Sequence, residues 1–283
     1  MKLKNFFKKK KAETKQVQVG NYTLWANAEH SIGDHLKHYP YYSRNLPRIA
    51  KYLEVKYPQY SIIDVGANIG DTIALLRTAQ VDQQVYLIEG EPSYFKLMQA
   101  NLPQFNKAKA YLTFLGEEST LQTGAIVSAE GTARLDKNAP AVIHIQKLDE
   151  LALTEQFEEV KLLKIDTDGF DFKILRGSFE LLTRFKPVLF FEYDAVYLEE
   201  QNEDGLQTLH TLQQLGYHKA VYYDNYGKML LSTTLDNQPL AEQLYAYMRR
   251  REGAFPYYDV CVFHQDDEEL ADEVIRQEMK FYS

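Results

Sequence analysis

The chain has 283 residues, a formal net charge of −8 at neutral pH, 45% hydrophobic and 25% charged residues; this is the balance of an ordinary globular protein with one large α/β domain or two small ones. The acidic balance argues against general nucleic-acid binding, which needs a basic domain or stripe to meet phosphates, and no apolar run reaches the roughly 18 residues that span a bilayer. The lone Cys261 excludes an internal disulfide and, inside the apolar run Val260–Phe263, reads as a small buried hydrophobe; no apolar segment follows the Lys-rich start as in a secretory signal, so a reducing cytoplasm is the expected location.

Residues 1–15, MKLKNFFKKKKAETK, carry seven Lys and read as a disordered basic tail. Each Lys near an anionic lipid surface adds on the order of 1 kcal/mol, so weak peripheral contact with the inner membrane face is an expectation for this tail. Unchanged vesicle binding after its removal would end that idea. Residues 16–26 alternate around Gly20-Asn21 and predict a hairpin. Residues 28–42 are polar and aromatic, with three His. Leu46, Ile49, Ala50 and Leu53 have helical spacing and predict an amphipathic helix within 43–57.

From Tyr60 the pattern becomes strand, turn, helix, repeated. Strands are expected at YSIIDVG, VYLIE, AYLTFLG, KLLKID, PVLFFEYD, YHKAVYYD and YDVCVFH. Helices are expected at about 70–79, from Pro92, over FDFKILRGSFELLTRF, at about 200–215, at about 239–251 and over the acidic end. Residues 117–147 break the rhythm as a hairpin-like excursion ending in VIHIQ. Strands alternating with helices imply a mostly parallel sheet with helices on both faces.

The strongest local signal is DVGANIGDT, Asp64 to Thr72, between a strand and a helix. Open α/β sheets bind ligands at such strand ends. Gly66 and Gly70 let the backbone turn sharply and approach a ligand. A dinucleotide fingerprint G-x-G-x-x-G would put glycine at positions now held by Asn68 and Asp71, and no Walker sequence follows. Asp71 would repel a pyrophosphate. A ligand with an ammonium group, S-adenosylmethionine, suits the loop better than NAD. Glu89 ends the second strand 23 positions after Gly66, placed to bind ribose hydroxyls; Glu91 competes for that role.

A second constellation is Lys164-Ile165-Asp166-Thr167-Asp168-Gly169-Phe170-Asp171, with Glu192-Tyr193-Asp194 at the next strand end. Period-two alternation puts Lys164 and Asp166 on one side. Clustered carboxylates there can act as a general base, hold an ammonium or bind a divalent metal, and these alternatives stay open. Asp168 or Asp171 alone also fits a helix N-cap.

DVGANIGDT, LIEGEPSYFKLMQANL, IQKLDEL, LLKIDTDGFDFKILRG and PVLFFEYD, in this order, resemble the FkbM-type methyltransferase family over residues 60–195. The resemblance implies a class I (Rossmann-like) methyltransferase domain over 60–283, with a seven-stranded sheet whose last strand is antiparallel, behind an N-terminal extension at 16–59. It implies S-adenosylmethionine as cofactor and a hydroxyl acceptor on a sugar, glycan or related natural product. Asp64, Gly66, Asn68, Gly70, Asp71 and Thr72 would form the cofactor loop, with Glu89 on the ribose. Asp168 and Asp171 stand where the family usually has Glu, so their reach is shorter by one methylene. A hydroxyl needs a base or a metal. Asp166, with Lys164 and Glu192, is the expected acceptor site, and His144 a weaker base candidate. Tyr39, Tyr41, Tyr42, Tyr222, Tyr223, Tyr226, Tyr257 and Tyr258 are expected near the pocket, where a flat face and a hydroxyl suit sugar rings. The rival readings are an NAD-dependent oxidoreductase and a cofactor-binding module without catalysis.

Overall fold

The computed structural model describes residues 14–123, 125–129, 132–136, 142–250 and 256–282. Most of the basic tail, 1–13, lies outside them. Thr14 and Lys15 pair with Asn27 and Ala26, so the first strand begins two residues earlier than expected. That hairpin is β1 (Thr14–Val19) and β2 (Tyr22–Asn27), followed by α1 (Ile32–His38) and α2 (Asn45–Leu53).

The repeating part runs β3 (Ser61–Val65), α3 (Asp71–Thr78), β4 (Gln84–Glu89), α4 (Pro92–Asn101) and β5 (Ala108–Leu112). The expected third strand is broken at Thr113, whose N–H donates to Glu89 O at 3.1 Å. Beyond it β6 (Phe114–Leu115) joins a small sheet with β7 (Thr120–Thr123) and β10 (Val142–Gln146), in the order β6-β10-β7. Between β7 and β10, β8 (Ala125–Ala129) and β9 (Thr132–Asp136) pair as a separate ribbon.

The chain then forms α5 (Leu148–Thr154), β11 (Val160–Ile165), α6 (Asp171–Arg176), α7 (Phe179–Phe185), β12 (Val188–Tyr193), α8 (Ala195–Glu200), α9 (Leu206–Gln214), β13 (Tyr217–Asp224), β14 (Met229–Thr234), α10 (Gln238–Arg249), β15 (Tyr258–His264) and α11 (Glu268–Phe281). The single helix read over residues 170–185 is two. It breaks at Gly177-Ser178, where a Cβ on Gly177 would sit 2.1 Å from Gly116 O. A helix expected from about residue 200 begins at Leu206, because Gly205 in the left-handed region starts it.

The main sheet has the order β14-β13-β15-β12-β11-β3-β4-β5. Parallel pairing links β12, β11, β3, β4 and β5. The last strand, β15, lies antiparallel between β12 and β13. This is the mostly parallel sheet with an antiparallel last strand that the resemblance implies, with β14 added as an eighth strand on the edge.

Alternation sorts the buried side chains into two layers. On one face Ile62, Leu87, Leu162, Val188 and Phe263 pack with Ile49 and Leu53 of α2, Ile73 of α3, Val274 of α11 and Leu24 of the hairpin. On the other, Ile63, Ile88, Leu163, Phe191 and Val262 pack with Leu148 of α5, Leu175 of α6, Leu182 of α7 and Leu212 of α9. The N-terminal extension is therefore part of the first core layer. No described helix is long and apolar enough to cross a membrane.

Candidate active site

Parallel strands end together, so the turns after β3, β4, β11 and β12 share one rim of the sheet. The turn after β3 is the tightest. Gly66 has φ +78°, and a Cβ there would lie 1.9 Å from the backbone oxygen of Asp166. Only glycine lets the β3 and β11 turns approach so closely. The N–H groups of Gly66 and Ala67 both donate to Ile88 O at 3.0 Å, which joins the loop to the end of β4. Asn68 follows with φ +49°, and Gly70, with φ +85°, is the N-cap of α3.

Glu89 is buried at the end of β4. Its Oε2 accepts the Asn68 N–H at 2.8 Å and its Oε1 accepts the Glu91 N–H at 2.7 Å. Burial pushes its carboxyl up to about 7, against the pull of those two amides. Glu91 has a different place: its Oε2 accepts from Ser93 N and Tyr94 N, and it is the N-cap of α4 with Pro92 behind it.

Beneath the loop, Lys164 Nζ lies 3.0 Å from Asp64 Oδ1 and 3.4 Å from Asp166 Oδ2. Asp64 is fully buried, whereas the Asp166 side chain is half exposed. Burial works against the Lys164 ammonium, but Asp64, Asp166 and Asp71 outweigh it and raise its pKa. The β11 turn uses Asp168 at φ +50° and Gly169 at φ +99°. Asp171 is the first residue of α6 rather than its cap, and its Oδ2 accepts from the N–H and Oγ of Thr167 at 3.3 and 3.0 Å.

Register carries the cluster across the sheet. Lys164 is opposite Phe190, and Glu192 is opposite Asp259 on β15, so Asp166, Glu192 and Asp259 share a face. Burial, then repulsion from Asp166, raises Glu192 well above an ordinary carboxyl and Asp259 to about 8. Asn45 Nδ2 donates to Asp259 Oδ2 at 3.3 Å. Asp194 caps α8 through Val196 N and Tyr197 N.

These groups line two cavities. The smaller, about 110 Å³, has Ile88, Glu89, Gly90, Phe114, Leu115, Ile143, Ile145 and Phe170 among its walls. The larger, about 510 Å³, adds Asp71, Thr72, Lys164, Glu192, Asp259, Tyr42 and Tyr257. Gly66, Asn68, Asp166 and Asp168 border both. The apolar slot with a carboxylate at its mouth has the chemistry to hold a flat base and its ribose. Asp71 can meet an ammonium, and the N-terminal turn of α3 a carboxylate. The donor set thus fits an S-adenosyl cofactor. Among the described residues no three His, Cys, Asp or Glu side chains are arranged to hold a metal ion.

Of the expected site residues, Gly66, Asn68, Asp71, Thr72, Lys164, Asp166 and Glu192 line the larger cavity, and Glu89 the smaller. Gly70 turns the loop into α3, and Asp64 lies behind Lys164, walling neither cavity. His144 is exposed on β10; its neighbours Ile143 and Ile145 face the smaller cavity instead. Only Tyr42 and Tyr257 of the eight tyrosines border the larger one. Tyr222, Tyr223 and Tyr258 are core, Tyr39 stacks on Tyr226, and Tyr41 packs edge-on against Phe281 and Tyr282. Asp259, Asn45 and the wall from His30 to His35 were not legible as site residues, because register and packing, not local motif, bring them in.

A family profile described as the methyltransferase FkbM domain matches residues 64–219, more than half of the chain. None of the curated proteins matches it. Among solved structures it is similar to the methyltransferase FkbM of Methylobacillus flagellatus KT, at 16% identity and TM-score 0.41, over 58% of this chain and 40% of that one. It is similar to the fibrillarin pre-rRNA processing protein of Methanococcus jannaschii, at 11% identity and TM-score 0.44, over 92% and 86%. It is also similar to a precorrin-6y C5,15-methyltransferase of Geobacter metallireducens GS-15, at 11% identity and TM-score 0.39, over 73% and 81%. Likenesses this remote say nothing of an acceptor. The matched segment is another matter: it runs from the end of β3 into β13 and takes in every strand-end group above except Asp259, and the chain belongs to the FkbM methyltransferase domain family.

Proposed function

We propose that this chain methylates a hydroxyl group on a sugar, glycan or related small natural product, with S-adenosylmethionine as donor. The observation that carries the reading is the junction of the two cavities at Gly66, Asn68, Asp166 and Asp168, with Glu89 on one side and Asp166, Glu192 and Asp259 on the other.

When bound, the cofactor supplies an electrophilic methyl and its own leaving group, which leaves orientation and proton management to the protein. Glu89, aimed by two backbone amides, accepts the ribose hydroxyls. Ile88, Phe114, Leu115 and Ile143 hold the base in the apolar slot. Asp166 takes the acceptor's proton; an aliphatic hydroxyl is a weak nucleophile until a placed base removes it. Lys164 anchors Asp166 from behind while Asp64 offsets its charge. Glu192 and Asp259, whose carboxyls burial shifts up from the ordinary range, hydrogen-bond the neighbouring hydroxyls of the acceptor. Tyr42 and Tyr257 offer flat faces to its ring. Burial and the carboxylates of Asp166, Asp71 and Asp259 keep the Tyr42 phenol neutral.

The test is Asp166→Asn. Turnover on a hydroxyl acceptor found by a glycan screen should fall by about 10²–10⁴-fold, with calorimetric binding of S-adenosylhomocysteine retained. Full turnover would remove Asp166 as the base. Binding of NAD in place of S-adenosylhomocysteine would overturn the cofactor assignment.

A further inference from the structure

We propose that His30, from the N-terminal extension, positions Asn68 and, through it, the Glu89 carboxylate for the cofactor's ribose. The inference rests on the cofactor reading above.

His30 is 5% exposed. Its Nδ1 accepts the backbone N–H of Ile32 at 3.2 Å. That contact sets the tautomer: Nδ1 is the acceptor, so Nε2 carries the proton. Nε2 lies 3.1 Å from Asn68 Oδ1 and donates to it. The backbone N–H of Asn68 in turn donates to Glu89 Oε2. One line of bonds thus runs from residue 30 through 68 to 89. Asn68 has φ +49°, a conformation that L side chains adopt at a cost and that surrounding contacts must hold. The ring edge of His30 also meets Tyr94 of α4, the helix that Glu91 caps, at 6.1 Å between centroids.

A second fastening acts on the next residue of the same loop. Asn101 is fully buried, and its Nδ2 donates to Ile69 O at 2.9 Å and to Trp25 O at 3.0 Å. Its Oδ1 accepts from Trp25 N at 2.8 Å. The loop is therefore tied at residues 68 and 69 to the hairpin and the segment behind it. The extension does not merely cover the sheet; it completes the cofactor site.

The test compares His30→Phe, His30→Gln and Asn68→Ala with the wild type. His30→Phe keeps a ring against Tyr94 but cannot donate. His30→Gln restores a donor and an acceptor. Asn68→Ala removes the acceptor and leaves the ring in place. Calorimetric affinity for S-adenosylhomocysteine should fall ~10-fold in His30→Phe and Asn68→Ala, the worth of one buried hydrogen bond, and recover in His30→Gln. The double variant His30→Phe with Asn68→Ala should be no worse than either single one. In kinetics the loss should fall on KM for the cofactor rather than on kcat. Wild-type affinity in both single variants, additive losses in the double, or a kcat loss with affinity kept would overturn the proposal. Wild-type protein that does not bind S-adenosylhomocysteine would overturn the cofactor reading and this inference with it.

Discussion

Glu89 and Glu91 lie two positions apart after the same strand, and their side chains have opposite employment. Glu91 satisfies the free N–H groups of α4, and Pro92 at the first helical position marks it as the cap. The proline is legible in the sequence, but the choice between the two carboxylates stays open there; the bonds of Glu91 to Ser93 N and Tyr94 N are what take it out of contention. Glu89 is left to face the apolar slot. In Glu89→Gln the new amide group would confront the N–H of Asn68 or Glu91, so one donor loses its acceptor. Affinity for S-adenosylhomocysteine should drop about 10–100-fold, the loss of one or two charge-assisted bonds; calorimetry reads it. Gly66 makes a prediction about stability. In Gly66→Ala the new Cβ meets the Asp166 oxygen and φ is positive. Unfolding in urea should show a loss of about 3 kcal/mol or more.

Among the elements, α2 and α11 are joined by a buried ion pair between residues 230 positions apart. Arg48 Nε and Nη2 donate to the two oxygens of Glu278 at 2.8 and 2.7 Å, and Nη2 also donates to Tyr282 at 2.8 Å. The Arg48 guanidinium lies 3.9 Å from the centre of the Phe281 ring. Glu278 is fully buried. Arg48→Met leaves that carboxylate without its counter-charge, and denaturant unfolding should show about 3–5 kcal/mol of lost stability. The acidic, amphipathic pattern of α11 announces a surface helix but not this pair. The same gap explains the helix over 170–185: its apolar spacing is continuous, and only the approach of Gly116 to Gly177 interrupts it. It also explains His144. Alternation with Ile143 and Ile145 sets it on the opposite side of β10, and which side faces the cavity is decided by the small sheet.

For the whole molecule, a group of buried carboxyls gathers at one rim of the sheet. Burial pushes Glu89 and Asp171 up to about 7 and Asp259 up to about 8, with Asp166 repelling the latter two. In an unfolded chain such carboxyls release their protons near pH 4. Between about pH 4 and 8 the folded state therefore holds protons that the unfolded state has lost. Stability rises with pH only where the unfolded state binds more protons, so here it falls. The ligand-free protein should have a higher Tm at pH 5.5 than at pH 8, and Asp259→Asn should flatten the difference. A Tm that rises across this window would contradict the assignment.

The sequence alone determined the βα rhythm, the loop at Asp64–Thr72, the acid ending β4 and the Lys164–Asp171 turn, because each depends on neighbours within one strand and its helix. A period of two, a glycine at a turn or a proline at a helix start acts over a few residues and can be read off the chain. The rest belongs to the tertiary structure. The bond between His30 and Asn68 spans 38 positions, and that between Asn45 and Asp259 spans 214. Whether such partners meet depends on strand order, since inserting β15 between β12 and β13 is what brings Asp259 beside Glu192. The N-terminal extension carries no motif of its own. Its part in the site arises because it packs on the same face of the sheet as the β3 loop, and that is settled by where its apolar side chains are buried.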